Sequence, residues 1–385
     1  MRKLTILLLL LAASVPAIAV KRVTVRQFEQ AVQEVRAKPD QEVVRWLTGF
    51  ELTERISVDK LASLKALMPG TESQRKLVAL SDASAFLNPP AEEVPHNAPM
   101  SKEAQQQSLT LASIYIEKTL SKLPNFFATE SITLFTNTPE DDEHPTAVSN
   151  PPMRYVGLTN ATVLYRSGKE VMETKSGEIT EQDQRVSANS GLLSSGEFGP
   201  VLSTVLTDAQ RGKLSWSHWE NAPNSPMGVF RYAVPRKESH YKVKVALGGR
   251  GKLFEARPGY HGEIAVDPAT GTILRLTLRA DMTDDDPLAT ADLMVEYGSI
   301  EIGGQSYICP IRSVAIVTAS SQSNGAPTSN GLAMGLHTAS NSRSDPGSAA
   351  EMLMNDVAFE NYHLLRSDAR MILGSDMQDD GAPPQ

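Results

Sequence analysis

Apolar residues along this chain follow two different periods. From Val25 they recur at spacings of three and four, so Val25, Phe28, Val32 and Val35 share one face of a helix. Lys38-Pro39-Asp40 ends that helix, and Val43, Val44 and Leu47 begin a second that Gly49 stops. Ser57 is placed to cap a third, lined by Leu61, Leu64 and Leu67 as far as Pro69-Gly70. Leu77 and Leu80 continue the theme. Each helix is short and offers few apolar side chains, which predicts a small helical module over 20–87. Pro89, Pro90, Pro95 and Pro99 predict an extended linker over 88–100. Ser101 then caps a long helix with Leu109, Ala112, Ile116, Leu120 and Leu123 inward, ended by Pro124.

From Asn125 the period falls to two. Phe127, Thr129, Ser131, Thr133 and Phe135 alternate with Ala128, Glu130, Ile132 and Leu134. Further strands are predicted around Thr162–Arg166, Glu170–Thr174, Leu214–His218, Phe230–Val234 and Tyr241–Leu247. Gly262–Asp267 and Thr272–Arg279 form a hairpin in which Leu274, Leu276 and Leu278 point one way and Arg275, Thr277 and Arg279 the other. Strands at Leu293–Tyr297, Val314–Ile316 and Val357–Leu364 follow, the first two separated by Gly303-Gly304. About eleven strands with short links predict an antiparallel meander, because parallel crossovers need about a dozen residues each. Between them, Gly199-Pro200 opens a short apolar helix with Val201, Leu202, Val205 and Leu206. Residues 319–350 are rich in Ser, Asn, Gly and Ala and predict a disordered insertion, as do residues 373–385 a disordered tail. The fold class expected is α+β: the helical module, then a large curved, half-barrel-like antiparallel sheet packed on the long helix, spanning 101–372.

The N-terminus sets the compartment expected. Met1-Arg2-Lys3 precedes the apolar run Leu4–Leu11 and the small residues Ala17-Ile18-Ala19, the pattern of a secretory signal peptide over 1–19. A periplasmic or secreted protein is expected, with no integral membrane span after cleavage, since a spanning helix needs about 20 apolar residues. Cleavage removes Arg2 and Lys3 and no acid, so the net charge of −8 becomes −10. Such an acidic protein does not suit nucleic acid, which requires a basic stripe. The single cysteine excludes a disulfide framework and a Cys-rich metal site. Cys309 lies in the strand-like Tyr307-Ile308-Cys309-Pro310 and is expected to be a buried small hydrophobe.

Catalytic chemistry leaves little trace in the sequence. The seven histidines share no metal-binding spacing, and no nucleophile elbow, phosphate loop or dinucleotide fingerprint occurs. The acidic runs at Glu140–Glu143 and Asp281–Asp286 lack the alternation of a calcium loop. No catalytic residue, metal or cofactor is expected. Trp216, Trp219, Phe230, Tyr232 and Tyr241 are expected on neighbouring strands in the middle of the sheet, as core or as the lining of an apolar cavity.

The signal peptide, long amphipathic helix and one-sided meander resemble the LolA-like and RseB-like periplasmic lipid-carrier superfamily. The likeness is carried by Gly262-Glu263-Ile264-Ala265-Val266-Asp267 turning through Thr270-Gly271 into Ile273-Leu274-Arg275-Leu276, and by Ser195–Leu202. It implies a half barrel over helices whose apolar space holds acyl chains. The expected function is therefore a non-enzymatic exported protein that binds a lipid or other apolar ligand on the concave face, through Trp216, Phe230, Tyr232, Leu274 and Leu276. The alternative is a cell-envelope scaffold whose helical module binds a protein partner.

Overall fold

The computed structural model describes residues 20–120, 122–138, 152–167, 169–173, 191–192, 198–222, 225–247, 252–320 and 351–365. The expected signal peptide, acidic run 140–143, segment 321–350 and tail 373–385 lie outside the described residues. The chain divides into two compact units, the first reaching to Pro90 and including Asn137–Arg154.

The first unit is helical, as the spacing predicts. It holds α1 (Val25–Val35), α2 (Asp40–Leu47), α3 (Val58–Lys65) and α4 (Thr71–Ala83). Thr24 caps α1 in a reciprocal box: its hydroxyl accepts from the Gln27 amide, and the Gln27 side chain accepts from the Thr24 amide. Phe28, Val32, Val43 and Leu77 are fully buried at the centre. Two short strands, β1 (Lys21–Val23) and β2 (Phe50–Leu52), pair in parallel at its edge. Three residues each are too few to show a period in sequence, so neither was expected.

The second unit begins at Ala91 and is mostly sheet. Its helices are α5 (Lys102–Leu120) and α6 (Pro200–Arg211), and Pro200 takes the first turn of α6 as expected. Its strands are β3 (Phe126–Thr136), β4 (Arg154–Arg166), β5 (Lys169–Glu173), β6 (Gly191–Leu192), β7 (Lys213–Glu220), β8 (Met227–Val234), β9 (Val243–Leu247), β10 (Lys252–Ala256), β11 (Gly259–Val266), β12 (Ile273–Asp281), β13 (Leu288–Ile302), β14 (Gln305–Ala319) and β15 (Met352–Leu364). Ten of these form one open antiparallel sheet in the order β5-β4-β3-β15-β14-β13-β12-β11-β8-β7.

This is not the continuous meander that the spacing predicts. Strands β9 and β10 leave the main sheet and join β6 in a three-stranded one. Strand β15 inserts between β3 and β14, so the latest described strand pairs with the earliest of this unit. Of the aromatic group expected at mid-sheet, Trp216, Trp219, Phe230 and Tyr232 therefore sit at one edge, on β7 and β8, and Tyr241 lies just ahead of β9. Strand β14 runs to Ala319, which is buried, so Ala319 belongs to the strand and not to the insertion expected over 319–350.

One face of the main sheet is apolar. Phe230, Ile264, Leu276, Leu278, Val295 and Val317 face α5 through Ala112 and Ile116, and α6 through Leu202 and Val205. Val243 and Val245 of the small sheet join the same core. The β11–β12 turn fixes the register of this face against α5. Gly271 has φ +76°, and a Cβ there would come within 2.3 Å of the Leu111 backbone carbon in α5. Only glycine allows that approach in that conformation.

Candidate functional site

Four of the five side chains expected to bind ligand meet on the apolar face. Phe230, Tyr232 and Leu276 are 1–3% exposed. Trp216, half-buried at the edge, meets Phe230 ring to edge at 5.6 Å and Trp219 at 4.9 Å. The Tyr232 hydroxyl donates to the Thr277 carbonyl at 2.6 Å, and burial pushes its pKa well up. These groups pack on one another, which is the arrangement of a core. Partly buried apolar side chains pack against the same core, including Leu109, Trp219, Phe254, Met282 and Ile308.

Leu274 is the exception and corrects the alternation read from sequence. Ala265 pairs with Arg275 but Val266 pairs with Ile273, so Leu274 is the extra residue of a β-bulge. The bulge resets the period. Ile273 joins Leu276 and Leu278 on the apolar face, while Leu274 packs with Met227, Val229 and Ala265 in a separate cluster.

The cover of the apolar face is pinned by a buried carboxylate. Asp208 on α6 is fully buried and accepts from the His240 amide at 2.8 Å, the His240 ring at 2.6 Å and the Tyr260 hydroxyl at 2.8 Å. Burial pushes the Tyr260 phenol far up, and the Asp208 bond adds to it. Ahead of α6, Phe198 lies among Phe126, Tyr165, Phe359 and Tyr362 with ring centroids 5.3–6.3 Å away. Cys309 borders this aromatic cluster, as expected of a buried strand residue, and burial pushes its thiol up to about 12.

The opposite face holds a row of ion pairs. Arg275 binds both oxygens of Glu220 at 2.7 and 2.9 Å, with both side chains under a tenth exposed. Burial alone would pull the guanidinium pKa down, but Glu220, with Glu296 and Glu263 behind it, raises it. Arg231 meets Glu263 at 3.1 Å, and Arg312 meets Asp356 at 2.9 Å. At the β7 end of this row, His218 Nε2 lies 2.9 Å from Glu220, and His218 Nδ1 lies 2.8 Å from Ser217 Oγ. Neighbouring strand residues normally point to opposite faces. Here Trp216 pairs with Phe230 and His218 with Val229, so Ser217 is the extra residue of a second bulge. The Ser-His-x-Glu spacing was visible in sequence, but strict alternation concealed that the three side chains meet.

Among the described residues no group of three or more His, Cys, Asp or Glu is gathered to hold a metal ion. No helix among them is long and apolar enough to cross a membrane. Comparison with protein-family models, curated proteins and solved structures finds no match to this chain.

Proposed function

We propose that this protein is exported to the cell envelope and binds a lipid or other apolar ligand between the apolar face of its ten-stranded sheet and the helices that cover it. The observation that carries this reading is the unequal cover. A wide, open, one-sided sheet is closed by two helices and a three-stranded sheet, and large apolar side chains remain only partly buried around that closure. Because Phe230, Tyr232 and Leu276 are already packed, a ligand would have to displace cover, and α6 is held there by its buried Leu202 and Val205 and by the Asp208 hydrogen bonds. Apolar area withdrawn from water would supply the affinity, at roughly 25 cal/mol per Å². Native mass spectrometry of the protein taken from its own compartment tests the reading. A co-purified apolar molecule that organic solvent extracts is expected. A protein that carries none, and whose tryptophan emission does not change with added long-chain alcohols, would end it.

A second reading has its own support. The helical unit has a separate core around Phe28 and Leu77, so it is built as a module and can serve as a docking piece for an envelope protein. Crosslinking in intact cells with and without residues 20–87 distinguishes it: a partner that survives the deletion rules it out.

A further inference from the structure

We propose that Ser217 is an activated nucleophile, with His218 its general base and Glu220 the group that orients the base, and that the site cleaves a carboxylic ester. This goes beyond ligand binding on the apolar face and does not depend on it.

Arg275 sets the charge of Glu220. A guanidinium keeps its proton throughout the working range. Its two short contacts to Glu220 therefore favour the carboxylate form, which can only accept hydrogen bonds. The His218 nitrogen facing Glu220, Nε2, must then carry the hydrogen. In a neutral imidazole that leaves Nδ1 with a lone pair, and the group facing it at 2.8 Å is Ser217 Oγ. The serine hydroxyl is the donor. This is the division of roles among nucleophile, base and orienting acid that acyl transfer needs, and it is recognised by geometry rather than by sequence order.

Three further observations fit. Ser217 occupies a β-bulge on a strand at the edge of the sheet, the kind of position where a side chain is re-aimed. Ser217 and His218 are half-buried rather than enclosed, so a substrate can reach them. Arg231, 58% exposed, is paired across the strands with Ser215 and lies two positions along β8 from Val229, the partner of His218. It lies on the same face as His218, paired with Glu263 at 3.1 Å, and in this proposal its remaining guanidinium donors would stabilise the negative oxygen that develops on an attacked carbonyl.

The step balances within this set. Ser217 Oγ bonds to the ester carbonyl carbon while its proton passes to His218 Nδ1. The bond to the alcohol then breaks, and the departing alkoxide takes that proton. Water, deprotonated by the same nitrogen, then bonds to the acyl carbon; the Ser217 Oγ–carbon bond breaks, Oγ takes the proton back from His218 Nδ1, and the carboxylic acid leaves.

The test uses the intact chain and a fluorophosphonate probe, with peptide mass spectrometry to locate the adduct. Wild type should be labelled at Ser217 and should release p-nitrophenol from p-nitrophenyl acetate. Ser217→Ala should abolish both, and His218→Ala should slow both by about a hundredfold or more, the usual contribution of a general base. Arg231→Met should slow ester cleavage by about a hundredfold and leave the near-ultraviolet circular dichroism unchanged. Labelling that is as fast in Ser217→Ala as in wild type, or an adduct on another serine, or no adduct in a chain with native dichroism, overturns the proposal.

Discussion

At the residue scale, the two leucines flanking Arg275 separate core from surface sharply. Leu276 is 1% exposed in the main core, whereas Leu274, displaced by the bulge, is half-buried in a small cluster on the other face. Leu276→Ala should cost about 3 kcal/mol, as large-to-small changes in a packed core do. Leu274→Ala should cost about 1 kcal/mol and leave any apolar ligand bound as before. Urea unfolding of the pair checks this, and equal losses would mean the bulge is misplaced. Alternation places both leucines on one face, because a strand pattern read from sequence cannot register one inserted residue. Lys76 gives a different kind of test. Its ammonium donates to the Met153 carbonyl, and burial pulls its pKa from 10.5 down to about 8. Between those values the unfolded chain holds a proton that the native state has released, so stability should rise with pH from about 8 to 10.5. Lys76→Met should remove that rise, which urea midpoints measured across the window will show.

At the element scale, what was legible depended on length. Helices α1 and α6 were readable because Val25, Phe28, Val32 and Val35, or Pro200 with Val201, Leu202 and Val205, fill a face and carry a start signal. The β13–β14 hairpin was readable from Gly303-Gly304, whose φ values of 62° and 82° require what glycine allows. Strand β10 was not read, and β9 was read into the wrong sheet, since a strand's own pattern does not name its neighbour. The Asp208 anchor was equally invisible, because it joins α6 to residues 240 and 260. The β11–β12 turn allows a direct trial of how an element is seated. Gly271 combines positive φ with near contact to the α5 backbone, and backbone cannot swing aside as a side chain can. Gly271→Ala should therefore cost about 2 kcal/mol or more, above the roughly 1 kcal/mol expected from φ alone. A thermal melt that loses only the smaller amount would show that α5 is free to shift.

At the scale of the molecule, β15 decides whether there is one sheet or two. It lies between β3 and β14, and without it the strands β5-β4-β3 are separated from the other six. Its pairing spans most of the domain: the Thr136 hydroxyl donates to the Met352 carbonyl across 216 positions. Contacts so distant close large loops before they return any energy, which makes folding slow and places this pairing late. The sheet cannot be completed until β15 has been made. The energetics agree. Leu353, Met354, Val357 and Phe359 are all at most 4% exposed. Each contributes about 2 kcal/mol by burial, so their joint loss rivals the total stability of about 5–15 kcal/mol for a typical domain. A chain ending after Ala350 should accordingly accumulate as aggregate or be proteolysed, since it also leaves the long edges of β3 and β14 unpaired. A peptide of residues 351–365 supplied during refolding should recover part of the soluble product. If the truncated chain instead gave a soluble monomer with native near-ultraviolet dichroism, the two halves of the sheet would have to be independent, and the single apolar face on which the binding reading rests would not exist.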